Sequence, residues 1–125
     1  MPFELPLNDQ IINTIGITSR DPLAVQVTNE QGEVLAGAAA RSFGEWLLLD
    51  TLWVSEALRG QDIGSKVLAE IEAMGVERGC KKCLLDTLNF QAKPFYEQRG
   101  YQVQWIQQDY PKTGCKYFMV KLLSE

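Results

Sequence analysis

The near-unbroken apolar run Trp46–Val54 gives way, after one short turn, to apolar residues at a different spacing, so a strand must hand over to a helix at that point. Its continuous apolarity fits a central strand covered on both faces. From Ile63 onward, Ile63, Val67, Leu68, Ile71 and Met74 recur at helical spacing, with Lys66, Glu70 and Glu77 between them, and Arg78-Gly79 supplies a stop. A further apolar stretch at 83–87 then reads as a strand, which the amphipathic helix connects to the first in the manner of a parallel pair.

The flanking segments extend this unit in both directions. Residues 8–15 read as a short helix between an Asn cap and Gly16. Residues 23–28 and 34–41 are β-type runs separated by Asn29-Glu30-Gln31-Gly32, which has the chemistry of a hairpin turn. A second helix is expected to start near Asn89 to Gln91, to tolerate Pro94 in its first turn and to end before Gly100. Residues 101–107 and 116–123 form a closing pair of strands joined through Pro111-Lys112-Thr113-Gly114. The order β-β-β-α-β-α-β-β is that of a mixed sheet with helices on its faces, an α+β fold. With no internal repeat or linker-like stretch, residues 1–125 are expected to form a single domain.

Charge and composition narrow the function. A formal net charge of −4 without a Lys/Arg stripe argues against nucleic acid as a partner and favours a cationic one such as an amine. No apolar run approaches the roughly 18 residues of a membrane span, and the start MPFELPLNDQ does not read as an export signal, so no membrane partner and a cytoplasmic location are expected. Cys80, Cys83 and Cys115 are then free thiols in or near the core. The Cys80/Cys83 spacing would make half a zinc site, but zinc usually takes four ligands and the chain has no histidine, so no metal is expected. Without histidine, proton transfer falls to carboxylates, tyrosine, the amine substrate or water.

The turn itself carries the chemistry. In Leu52-Trp53-Val54-Ser55-Glu56-Ala57-Leu58-Arg59-Gly60-Gln61-Asp62-Ile63-Gly64-Ser65-Lys66 a strand leads through a glycine-containing turn into a helix N-terminus. Unpaired amides and the helix dipole make such a turn a receptor for phosphate. Arg59 and Lys66 add charge, and Gly60 and Gly64 keep the backbone unobstructed. Alone, a glycine turn before a helix is often only a turn. The second informative segment is Asn89-Phe90-Gln91-Ala92-Lys93-Pro94-Phe95-Tyr96-Glu97-Gln98-Arg99-Gly100-Tyr101. Together the two resemble the GNAT superfamily of N-acetyltransferases. Its cofactor motif is Arg or Gln, two residues, Gly, one residue, then Gly or Ala. Its second motif is matched here at Asn89, Ala92, Phe95, Tyr96, Glu97, Gly100 and Tyr101.

Two departures stand out. Asp62 occupies the place of the first motif glycine, where a carboxylate would repel pyrophosphate unless it caps the helix by bonding local amides, the role expected for it. The region before the first hairpin is also shorter than the superfamily's strand and two helices, which points to a partner chain covering an open edge, a homodimer.

The resemblance implies an acyl-CoA N-acyltransferase fold and an acetyl-CoA-dependent N-acetyltransferase, in which a small-molecule or peptide amine attacks the thioester directly in a ternary complex. Acetyl-CoA is the implied co-substrate. Its diphosphate would be held by Arg59, Gly60, Gln61, Asp62, Ile63, Gly64 and Ser65, and its pantetheine arm by backbone groups of Leu52, Trp53 and Val54. An amide near Val54 would polarise the acetyl carbonyl. Tyr96 is the implied general acid for the departing thiolate. Asn89 would meet the pantetheine amides or only cap the second helix, and Phe95 would be core or touch the cofactor. For the base, Asp50 is favoured because simple alternation places it on the face of Leu52 and Val54, with Glu45 next. Trp105 on the closing hairpin would border the acceptor. A non-catalytic acyl-CoA sensor or interaction module is the competing reading.

Overall fold

In a computed structural model of the protein, residues 21–58, 60–89 and 92–124 are described. The helix read at 8–15 lies outside them. The strands are β1 (Asp21–Thr28), β2 (Val34–Phe43), β3 (Trp46–Val54), β4 (Lys82–Leu88), β5 (Gln102–Gln108) and β6 (Cys115–Leu122). Helix α1 spans Ile63–Glu77 and helix α2 spans Lys93–Gln98. The six strands form one sheet in the order β1-β2-β3-β4-β6-β5. Among the described residues only β3 and β4 pair in parallel, joined by α1; the other pairs are antiparallel. The mixed α+β arrangement and the order of its elements agree with the sequence reading. No helix among the described residues is long and apolar enough to cross a membrane.

Local chemistry explains the boundaries. Asn29 Oδ1 accepts from the amides of Gln31 and Glu33, which closes the β1–β2 turn, and Gly32 takes its positive φ. Helix α1 ends as expected, with Gly79 in the left-handed region at φ 91°. Its buried face is Val67, Leu68, Ile71, Glu72 and Gly75. Gly75 permits a close approach to β3: a methyl there would lie 3.0 Å from Leu47 Cδ2. Leu47, Ile71 and Met119 are fully buried in the core between α1 and the sheet. On the other face of β3, Trp46 and Leu48 are part-buried and Trp53 is 45% exposed, so that face is less covered than the apolar run implied.

Cys83 is fully buried beside Tyr101, and burial lifts its thiol from the ordinary 9.0 to about 11. The folded chain therefore holds this proton more tightly than the unfolded one. The stabilisation is complete below pH 9.0 and is lost as the pH rises through about 11. Burial also raises Tyr101 and Tyr96 above the usual phenol range, so the loss continues at higher pH. Urea midpoints are expected to fall across this window, with the Cys83 share worth about 3 kcal/mol. Cys83→Ala should have a shallower fall. An unchanged slope in that variant would rule out the thiol as a cause.

Candidate functional site

The β3–β4 ladder is short. Its paired positions are Trp46 with Lys82, Leu47 with Cys83 and Leu48 with Leu84; beyond them both strands continue, but not as partners. From Leu49 to Val54 the β4-facing side of β3 therefore lacks a strand partner, and its outward backbone groups can be met by an extended ligand. A cleft of about 330 Å³ opens there, lined by Leu49, Asp50, Thr51, Leu52, Leu85, Asp86, Thr87, Ala92 and Tyr96.

A second cleft, of about 440 Å³, lies at the N-terminus of α1, lined by Val54, Leu58, Gly60, Asp62, Ile63, Gly64, Ser65, Phe95 and Arg99. The two are neighbours along both β3 and α2, so a ligand with an anionic end and an extended arm fits the pair. Gly60 has φ 86° and Asp62 φ 62°, a left-handed turn that presents amides ahead of the helix. A methyl on Gly64 would lie 3.5 Å from both Phe95 Cζ and Val54 Cγ2, within the cleft wall.

Asp62 occupies the N-cap position but makes no side-chain cap bond to the helix amides. This corrects the expected capping role. The position demands the left-handed conformation, which Gly adopts freely and Asp tolerates better than most residues. The carboxylate accepts instead from the Ser65 hydroxyl, and from Arg99 Nη2 at 3.5 Å.

Arg99 is a site residue that sequence reasoning missed. It stacks on Phe95 at 3.9 Å and donates to the Phe95 carbonyl at 2.9 Å. Its Nε is buried without a hydrogen-bond partner among the described residues, a donor left over beside the cradle. Thr87 was also missed: its buried hydroxyl accepts from the Ala92 amide at 3.3 Å and ties the start of α2 to the end of β4.

The remaining candidates divide. Tyr96 is buried on α2, in edge contact with Phe95 and Tyr101, and burial raises its phenol, with smaller contributions from Cys83 and Asp86. Asn89 does not cap α2, whose N-cap is Ala92; its Oδ1 accepts from the Cys115 amide at 3.2 Å and pins β4 to β6. Leu52 lines the strand-gap cleft, whereas Trp53 and Gln61 line neither cleft, and the Gln61 side chain turns back to the Ala57 carbonyl. Arg59 is outside the described residues. Glu45 is drawn to Lys81 at 3.5 Å. Trp105, 58% exposed, stacks on Phe118.

Asp50 lines the gap by a different route from the one expected. Ala40 pairs with Leu49 and Ala39 with Thr51, so Asp50 is the extra residue of a β-bulge. The bulge breaks simple alternation: Leu52 and Val54 pack on the core, while Asp50 is exposed and meets Arg41 on the other face. Both carboxylate oxygens are engaged, by Arg41 Nε at 3.0 Å and Nη2 at 2.8 Å, and this pairing raises the guanidinium further.

The chain matches the acetyltransferase (GNAT) family over residues 3–101. It is 36% identical over 106 residues to a blasticidin-S acetyltransferase of Streptomyces morookaense, covering 82% of this chain and 78% of that protein. An acetyltransferase crystal structure from Bacillus cereus superposes with a TM-score of 0.83 at 32% identity, over 95% of this chain and 89% of that one. An aminoglycoside 6'-N-acetyltransferase complexed with coenzyme A shares the fold, with a TM-score of 0.77 at 16% identity, over 94% and 78% of the two chains.

Proposed function

The chain belongs to the acetyltransferase (GNAT) family, and from that premise we propose that it transfers an acetyl group from acetyl-CoA directly to an amine. One observation carries the reading: β3 and β4 separate beyond Leu48 and Leu84, and the resulting gap is walled by Tyr96. The gap suits a thioester arm bonded to the free side of β3, and the cradle of Gly60, Asp62, Ile63, Gly64, Ser65 and Arg99 suits its diphosphate. Coenzyme A supplies the activated acetyl group. The chain's own part is to hold the arm straight, to present an amide of β3 near Val54 to the carbonyl oxygen, and to keep the Tyr96 proton available to the departing sulfur. The raised phenol keeps Tyr96 protonated through the neutral range. Asp50, neutralised by Arg41, is proposed to relay the amine's proton through water rather than to take it unaided.

The test is release of free thiol from acetyl-CoA in the presence of a panel of amines. Blasticidin S belongs in the panel, because a relative 36% identical is named for it. CoA should also raise the melting temperature, since a ligand selective for the folded state stabilises it by about 2.7 kcal/mol at a hundredfold excess over Kd. Absence of both effects would defeat the reading; stabilisation without thiol release from any amine would favour a sensor.

Asp62→Gly offers a direct probe of the cradle. Glycine accepts the φ of 62° without strain, and the change removes a carboxylate from the lip of the cleft. CoA affinity by calorimetry is expected to rise about tenfold at low salt and less at high salt, as for one exposed charge near a diphosphate. An unchanged Kd would mean that Ser65 and Arg99 keep the carboxylate turned away when the ligand is bound.

A further inference from the structure

The last parallel rung joins Leu48 to Leu84, and two residues further on each strand a carboxylate flanks the gap: Asp50 on β3 and Asp86 on β4. Asp86 alternates with the buried Leu85 and Thr87, and Asp50, at the bulge after the buried Leu49, is exposed and turns to Arg41, so both project from the face opposite α1. Tyr96 approaches the same gap from the helix side. Residues from both faces therefore line one cleft, with the phenol on one side and the carboxylates on the other.

The two carboxylates differ in what answers their charge. Asp50 is clasped at both oxygens by Arg41. Asp86 is exposed and has no ion-pair partner among the described residues, yet it is close enough to Tyr96 to help raise its phenol. An unanswered charge beside a reaction cleft is free to bind a cation of the substrate. It suits a non-reacting cation best, because a carboxylate paired with the attacking ammonium would favour its protonated, unreactive form.

From this juxtaposition we infer that Asp86 anchors a second cationic group of the acceptor, which makes the acceptor class an amine carrying two positively charged centres. The inference rests on the acetyl-transfer reading above. The acceptor enters from the face opposite α1, leaves its second cation at Asp86, and extends its reacting amine into the gap toward Tyr96.

The experiment compares monoamines with α,ω-diamines of two to six carbons, such as butylamine and 1,4-diaminobutane, on the wild type, Asp86→Asn and Asp86→Glu. Thiol release gives turnover, and calorimetry with CoA present gives amine binding without it. Asp86 is exposed, so the isosteric Asn is compatible with the fold. In Asp86→Asn, kcat/KM for the best diamine should fall about tenfold to a hundredfold, the size of one charge-assisted hydrogen bond, and the fall should appear in KM. The loss for butylamine should be at least tenfold smaller, and Asp86→Glu should recover part of the diamine rate. Equal losses for both amines, or none, overturn the inference while thiol release upholds acetyl transfer. Diamine binding that depends on Asp86 without any thiol release upholds the anchor and defeats the transfer reading. If no diamine binds, the anchor is wrong.

Discussion

Replacing Tyr96 with phenylalanine is expected to lower kcat by about a hundredfold or more, the usual contribution of a positioned proton donor, while leaving KM for acetyl-CoA nearly unchanged. The ring is 8% exposed and meets Phe95 and Tyr101 edge-on at centroid distances of 5.2 and 5.6 Å. Phenylalanine keeps those contacts, so the fold is preserved and only the hydroxyl is lost. What the hydroxyl supplies is needed late, when the carbon–sulfur bond breaks and the thiolate leaves. The defect should therefore shrink for acyl thioesters with more acidic thiols, which need less help in departing. A merely structural tyrosine would lower kcat by the same factor for every leaving group, and that outcome would remove it from the chemistry. An unchanged kcat would do so more simply.

Much of this arrangement was legible in the sequence because it rests on period. The boundaries Trp46–Val54 and the start of α1 at Ile63 coincide with the change from continuous apolarity to helical spacing. Features that depend on a single residue of backbone geometry were not legible. The bulge at Asp50 inserts one residue into a strand without altering its composition, so the inferred face was wrong although the residue does line the gap. Asp62 looked like a helix cap because aspartate is common there; the motif spacing marked its place as a glycine's, but not the positive φ at which the fold uses it or the absence of a cap bond. Asn89 stood where a cap would stand, but α2 begins later, at Lys93, and its side chain bonds to Cys115, which is distant in sequence. Arg99, Thr87 and Asp86 lacked a periodic signal altogether. Arg99 and Asp86 acquire meaning only when the clefts bring separate elements together.

Glu72 shows the same limit, and its removal is the larger test of stability. It lies on the buried face of α1, one turn beyond Leu68, at 9% exposure. Nothing in the helix answers its charge. Its partners come from other elements: the Tyr101 hydroxyl donates to Oε2 at 2.7 Å, and Lys121 Nζ on β6 donates to Oε1 at 2.9 Å. Tyr101 is 2% exposed, so its hydroxyl has little water to turn to. Glu72→Leu would strand a phenol and an ammonium against an apolar side chain. The Lys121 side chain, 26% exposed, can partly reach solvent, which places the cost toward the lower end for a broken buried pair, about 3 kcal/mol. Urea unfolding should show the loss as a lower midpoint at constant slope. The double variant Glu72→Leu/Lys121→Leu should recover a large part of it, since the penalty comes from an unmatched charge rather than from the absence of a pair. A double variant as unstable as the sum of the two single changes would mean that the two side chains act independently, and that an unmatched charge is not the source of the loss.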